Sequence, residues 1–242
     1  MTMPDFLGKL LLLAFEIHDR LLAFLAKWSR PVKLLILIMA HMSLLGVFFP
    51  ELRRDYGSLA GNVLILILFL SPIATVTRMP LLRIAMGFRR EMGILMAYLA
   101  IVHGAGYFLD PAYFDTLLLP YFGSDFLSMD PQLIFGIAAL ILTLPLLVTS
   151  NAFSLRRLGG LRWKRIHFLV YPMFVFVAIH RFFRGGGADP LIGIFEASLL
   201  LGSYAFLKYL AWRPGSVPVL RRAIDDVGRR YKESVSVRKK AS

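Results

Sequence analysis

The 242-residue sequence contains no cysteine. That excludes covalent c-type haem attachment through C-x-x-C-H, cysteine-ligated iron–sulfur clusters, disulfides and thiol catalysis. Acidic residues are sparse, 15 Asp and Glu against 28 Lys and Arg. There is no glycine-rich phosphate loop and no second apolar core beyond Trp212, so NAD(P)H or flavin-reductase chemistry would need another polypeptide. Internal repeats and the paired broken helices of inverted-repeat transporters are also missing. What is abundant is apolar: 57% hydrophobic residues, 20 Phe and a mean hydropathy of +0.66. That is too apolar for a soluble domain of this length, and the chain reads as an integral membrane protein.

Six runs have the length needed to cross a hydrocarbon core of about 30 Å, at 33–49, 61–77, 91–109, 132–149, 166–183 and 191–211. They predict an all-α membrane protein, a six-transmembrane-helix bundle over 33–212, followed by a basic tail over 213–242. The first 32 residues are apolar around Phe6 to Trp28 but interrupted by Lys9, Glu16, His18, Asp19 and Arg20. Without a charged start and a small-residue cleavage site, this stretch reads as an N-terminal interfacial amphipathic helix, not a signal peptide.

A net charge of +13 would suggest nucleic acid in a soluble protein. Its distribution fits membrane topology better. If the N-terminus is cytoplasmic, the inner segments and tail hold 23 Lys and Arg, whereas the outer loops hold only Arg53, Arg54, Arg181 and Arg184. Asp110, Asp115, Asp125 and Asp130 all fall in one outer loop. Both termini are therefore expected in the cytoplasm, with odd-numbered spans running outward. Asn62 and Ser71-Pro72 in the second span, Pro145 in the fourth and Pro172 in the fifth predict kinks. The loop from Asp110 to Pro131 carries Tyr113, Phe114, Tyr121 and Phe122 and is placed to cover a site or meet a partner.

Three of the five histidines fall within or at the edge of these spans, where an imidazole is costly and usually functional. His103 lies toward the outer end of the third span. In the fifth, His167 lies at the inner edge and His180 at the outer edge, thirteen residues apart, or about 20 Å along one helix. His103 and His180 share a level, and two imidazoles from separate helices are a usual way to hold a low-spin b-type haem. The competing reading is that each hydrogen-bonds a neighbour. Gly93, Ala97, Ala100, Gly104 and Gly106 flank His103 and would admit either a flat macrocycle or close helix packing.

His167 has no evident partner, because fourteen residues before His103 stands Arg89. Arg89 and Arg90 would neutralise haem propionates or act as positive-inside anchors. On a straight helix His167 and His180 diverge by about 140°, so a shared interior face would require a bend at Pro172. His41, near the middle of the first span, is mostly to be read as structural, with a ligand, quinone or proton contact as the alternative. His18 reads as a polar-face residue, and Glu196 has no assigned role.

Several of these residues also form a pattern. Arg89-Arg90, Gly93 and His103, then Leu147-Val148-Thr149-Ser150, then Arg157-Leu158-Gly159, Trp163, His167, Tyr171 and His180 are similar to the ferric-reductase-like transmembrane domain family over about 58–212. Within it they resemble the haem-binding MsrQ (YedZ) group of bacterial methionine sulfoxide reductase systems. A single third-span histidine after an arginine pair resembles that group more than the NADPH oxidases, which carry two histidines there. The resemblance implies that His103 and His180 bind one haem b and associates His167 with a second site. It further implies electrons entering from a cytoplasmic flavin reductase or quinol, with FMN a candidate cofactor, and leaving for a periplasmic molybdopterin methionine sulfoxide reductase.

The N-terminal extension with His18, the first-span His41, and Asp130-Pro131-Gln132 in place of an Arg-Pro-Tyr-like opening of the fourth span depart from the family pattern. The expectation is an electron-transfer subunit without the terminal catalytic site. Two rivals are a membrane ferric or metal reductase with a separate flavin partner, its acidic outer loop gathering cations, and a haem-free transporter or scaffold.

Overall fold

In a computed structural model, residues 3–115, 119, 129–184, 190–213, 226 and 229 are described. All regular structure among them is helical: α1 (Met3–Ser43), α2 (Arg53–Thr77), α3 (Pro80–Ala85), α4 (Arg89–Phe108), the single turn α5 (Pro111–Tyr113), α6 (Pro131–Thr149), α7 (Ala152–His167), α8 (Val170–Arg184) and α9 (Pro190–Trp212). Short 3₁₀ turns join α1 to α2 and α3 to α4. Five stretches are long and apolar enough to cross a membrane: Glu16–Phe48, Pro50–Thr77, Pro80–Phe108, Pro131–Thr149 and Leu191–Trp212. The chain is thus a multi-pass membrane protein. Large apolar side chains such as Leu34, Phe48, Ile141, Leu191 and Phe195 face outward, as they would in lipid.

The helix assigned as α1 passes residue 32 and consists of two helical segments joined across a kink. Its irregularity is at Trp28 (φ −104°, ψ 17°), three residues before Pro31, whose missing N–H leaves that turn one hydrogen bond short. In the expected fifth span, 166–183, Ile166 and His167 end α7 and α8 supplies most of the rest. α7 ends at His167, Phe168 N–H closes back on Lys164 and Arg165 carbonyls, and α8 begins after the turn at Phe168–Leu169. Pro172 therefore sits in the first turn of α8, where a missing donor costs little, instead of bending a long helix. At 15 residues α8 is about 22 Å long, short of the hydrocarbon core. By contrast α2 and α6 each continue through their internal prolines, Pro72 and Pro145.

The chain divides into two compact units. The first comprises the described parts of Met1–Val32, Phe69–Phe88 and Phe206–Ser242. In it α2 stops at Arg78, which adopts a left-handed φ of 57°, followed by Met79 in the extended conformation that Pro80 demands. The second unit comprises Lys33–Leu68 and Arg89–Ala205 and holds the facing histidines. There α8 packs along α6 and α4 packs on α6. The buried side chains Leu64 of α2, Leu99 and Val102 of α4, Ala139 and Thr143 of α6, and Met173 and Phe174 of α8 form its core. Asp130 caps α6 by accepting from Gln132 N–H at 2.8 Å, with Pro131 at the first helical position. Tyr121, Phe122, Asp125 and nearly all of the 213–242 tail lie outside the described residues.

Candidate functional site

His103 on α4 and His180 on α8 face each other with ring centroids 6.2 Å apart and planes inclined at 73°. Each ring is anchored to the backbone of a different helix. His103 Nδ1 lies 2.8 Å from the carbonyl of Arg53 at the start of α2, and His180 Nδ1 lies 2.8 Å from the carbonyl of Gln132 at the start of α6. A carbonyl can only accept, so Nδ1 carries the proton in both rings and the lone pair of the neutral imidazole is on Nε2. The ring positions also depend on glycine. A Cβ on Gly57 would lie 2.5 Å from His103 Nδ1 and Cε1, and one on Gly136 would lie 2.8 Å from His180 Nδ1.

This arrangement fits haem. With about 2 Å from imidazole nitrogen to metal and roughly 1 Å from nitrogen to ring centre, two imidazoles across one metal have centroids about 6 Å apart. The described residues contain no group of three or more His, Cys, Asp or Glu able to hold a metal ion. Two axial imidazoles suffice for haem because the macrocycle supplies the other donors.

Around His103 the site continues outward. Tyr107 meets the ring edge-on at 5.3 Å and Tyr113 meets Tyr107 at 5.1 Å. The guanidinium of Arg53 donates to Asp110 at 2.7 Å, its side chain lying over Gly106, where a Cβ would come within 2.7 Å of Arg53 Cδ. Arg53 thus holds His103 through its backbone and Asp110 through its side chain. That hydrogen bond keeps the Asp110 carboxyl below its ordinary value of 3.8. A lowered folded value means the link contributes stability above the ordinary carboxylate range and loses it as pH falls through the folded value. Thermal unfolding in detergent between about pH 3 and about pH 7 should show this acid-side loss in the wild type and its reduction in Asp110→Asn.

The other candidates are placed elsewhere. His167 ends α7, with Nε2 3.2 Å from Thr149 Oγ1 and its ring stacked on Trp163 at 3.8 Å. Trp163 Nε1 donates to the Thr149 carbonyl at 2.8 Å, and Arg90 Nε donates to the Ser150 carbonyl at 3.0 Å. His167 and Arg90 therefore meet the same end of α6, and no second imidazole is placed beside His167 among the described residues. Arg89 has a buried Nε with no hydrogen-bond partner among the described residues. Gly159, in the Arg157-Leu158-Gly159 motif, has φ +72° and interrupts α7. His41 bonds the Leu37 carbonyl of its own helix at 2.7 Å. Glu196 lines a cavity of about 230 Å³ with Asn62 and Arg181, which bond each other at 3.0 Å. Sequence reasoning missed the roles of Arg53, Gly57, Gln132 and Gly136, for which the only signal was a glycine four residues after Arg53 and four after Gln132.

The model of the ferric reductase like transmembrane component matches residues 56–178, half of the chain. The chain belongs to this family. The matched segment takes in Gly57, His103, Gly136 and His167 and stops two residues before His180. Within the ferric-reductase-like family it is of the MsrQ type. It is 35% identical over 178 residues to the protein-methionine-sulfoxide reductase heme-binding subunit MsrQ of Rhizobium meliloti, covering 72% of this chain and 78% of that one. The corresponding subunit of Brucella anthropi is 37% identical over 153 residues, 61% of this chain and 65% of the relative. The magnetosome protein MamZ of Magnetospirillum gryphiswaldense is 28% identical over 166 residues, 68% of this chain and 24% of that protein. No solved structure matches the chain.

Proposed function

We propose that this ferric-reductase-like protein is the haem b electron-transfer subunit of a methionine sulfoxide reductase system, with His103 and His180 as the axial ligands of one haem. The single observation that carries the reading is the pair of imidazoles 6.2 Å apart, each donating Nδ1–H to a backbone carbonyl. Haem supplies one-electron redox chemistry when bound. The chain's own part is to hold two neutral imidazoles in fixed planes inside a water-poor bundle. Hydrogen bonds to the Arg53 and Gln132 carbonyls make both rings stronger donors. The similarity to MsrQ heme-binding subunits supports the assignment.

The donor would be a cytoplasmic flavin reductase or quinol, and the acceptor a periplasmic molybdopterin methionine sulfoxide reductase in the bacterial inner membrane system. The proposal includes α8 as a sixth crossing element within 33–212, both termini in the cytoplasm, and Arg89 and Arg90 as propionate or lipid contacts at the inner end. His167, bonded to Thr149 and stacked on Trp163, serves the inner end without forming a second bis-histidine site. FMN and quinone are candidate ligands there.

The test is a pyridine haemochrome assay on the full chain purified after haem-replete expression, followed by reduction with a quinol or a flavin reductase and reoxidation by a molybdopterin partner with methionine sulfoxide. One haem b per chain, reduced and reoxidised in that order, is expected. A preparation without haem absorbance would sink the reading.

A further inference from the structure

The outer histidines are held by the same two-residue device, used twice on unrelated helices. On α2 the carbonyl of Arg53 receives His103 Nδ1–H, and Gly57, one helical turn later, leaves the space the ring fills. On α6 the carbonyl of Gln132 receives His180 Nδ1–H, and Gly136, again four residues on, leaves the space. In a helix, residues four apart lie one above the other on the same face, so carbonyl and gap point toward the same ring. The carbonyl at i normally accepts only the N–H of residue i+4, and its second lone pair is screened by whatever side chain residue i+4 carries. With glycine at i+4 an imidazole can reach it.

We propose that Gly57 and Gly136 are positioning residues: together with the Arg53 and Gln132 carbonyls they fix the tautomer and plane of His103 and His180. The inference rests on the haem reading for its redox consequence, but the tautomer it assigns holds with or without haem. Any side chain at either glycine collides with the ring at a separation that real Cβ atoms do not adopt. The imidazole must then swing, and swinging breaks the 2.8 Å bond that orients it. Gly93 and Gly202 carry no such constraint: a Cβ on either meets nothing within 4 Å.

The experiment compares full-length wild type, Gly57→Ala, Gly136→Ala and the control Gly202→Ala. Haem per chain, the low-field electron paramagnetic resonance line of the oxidised protein and the midpoint potential are measured on each. That line depends on the angle between axial imidazole planes, which a merely structural role would leave alone. Gly57→Ala and Gly136→Ala should each move the line and the potential and weaken haem retention by about tenfold or more, whereas Gly202→Ala matches wild type. Equal behaviour of all three variants in line position, potential and haem content overturns the proposal.

A second measurement separates this proposal from the haem reading. Nitrogen NMR of histidine-labelled wild-type protein, depleted of haem if any is bound, should show Nδ1 protonated in His103 and His180. Protonation on Nε2 overturns the proposal even if haem binds. The expected tautomer in a chain that never takes up haem would sustain the seats and sink the function.

Discussion

His103→Ala and His180→Ala should each empty the same haem site, and the double variant should be no worse than either alone. The expected loss exceeds the roughly hundredfold that removing a ligand's supporting hydrogen bond can cost, because here the ligand itself goes. Two residues acting as one unit are strongly non-additive, so the first deletion accounts for nearly all of the effect. The pyridine haemochrome value should fall from one haem per chain to near zero in all three variants. His167→Ala should keep the full outer-haem spectrum, since its described partners are Thr149 and Trp163. Full haem retention in His103→Ala or His180→Ala would overturn the pairing.

Met173→Ala should produce the largest loss of stability away from the histidines. Met173 is 1% exposed, in the seam between α8 and α6. Its sulfur accepts from the Thr143 hydroxyl at 3.2 Å, but that hydroxyl also donates to the Ala139 carbonyl at 2.9 Å, so truncating Met173 leaves no orphaned donor. The cost is therefore the cavity, about 2–5 kcal/mol for a fully buried methionine. It should appear as a fall on the order of 10 °C in unfolding temperature in detergent. Met173→Leu should recover most of it, as a volume-conserving swap. Because His180 lies about two helical turns along α8 from Met173, the Ala variant should also release haem at a lower temperature than wild type. Unchanged unfolding in Met173→Ala would place the mechanical link between α6 and α8 elsewhere.

Hydropathy made most of the apolar helices legible because α2, α4, α6 and α9 are continuous apolar runs. It failed at Phe168–Leu169 for a physical reason. Both residues are apolar, so a turn there leaves no trace in a hydropathy profile. In α1 the charged residues from Glu16 to Arg20 lie before the kink at Trp28, which the sequence signals only through Pro31. The juxtaposition of His103 and His180 was legible from counting residues into alternately oriented spans. What holds them was not, because the acceptors are main-chain carbonyls, which every residue has, and glycine in a membrane helix more often marks close packing. The same limit hid the inner contacts: Trp163, His167 and Thr149 belonged to the quoted motifs, yet nothing in their spacing says that they touch.

Gly159, with its left-handed φ of 72°, also separates His180 from changes further upstream. In a continuous helix, inserting one residue rotates everything beyond it by about 100°, which would swing a ligand off its metal. Here α7 ends before α8 begins, and Gly159 already breaks α7 once. Length changes in the basic segment can be absorbed at these joints while the azimuth of His180 stays locked to Gln132. Residues 152–158 are thus where an insertion is expected to leave the His180–Gln132 bond unchanged.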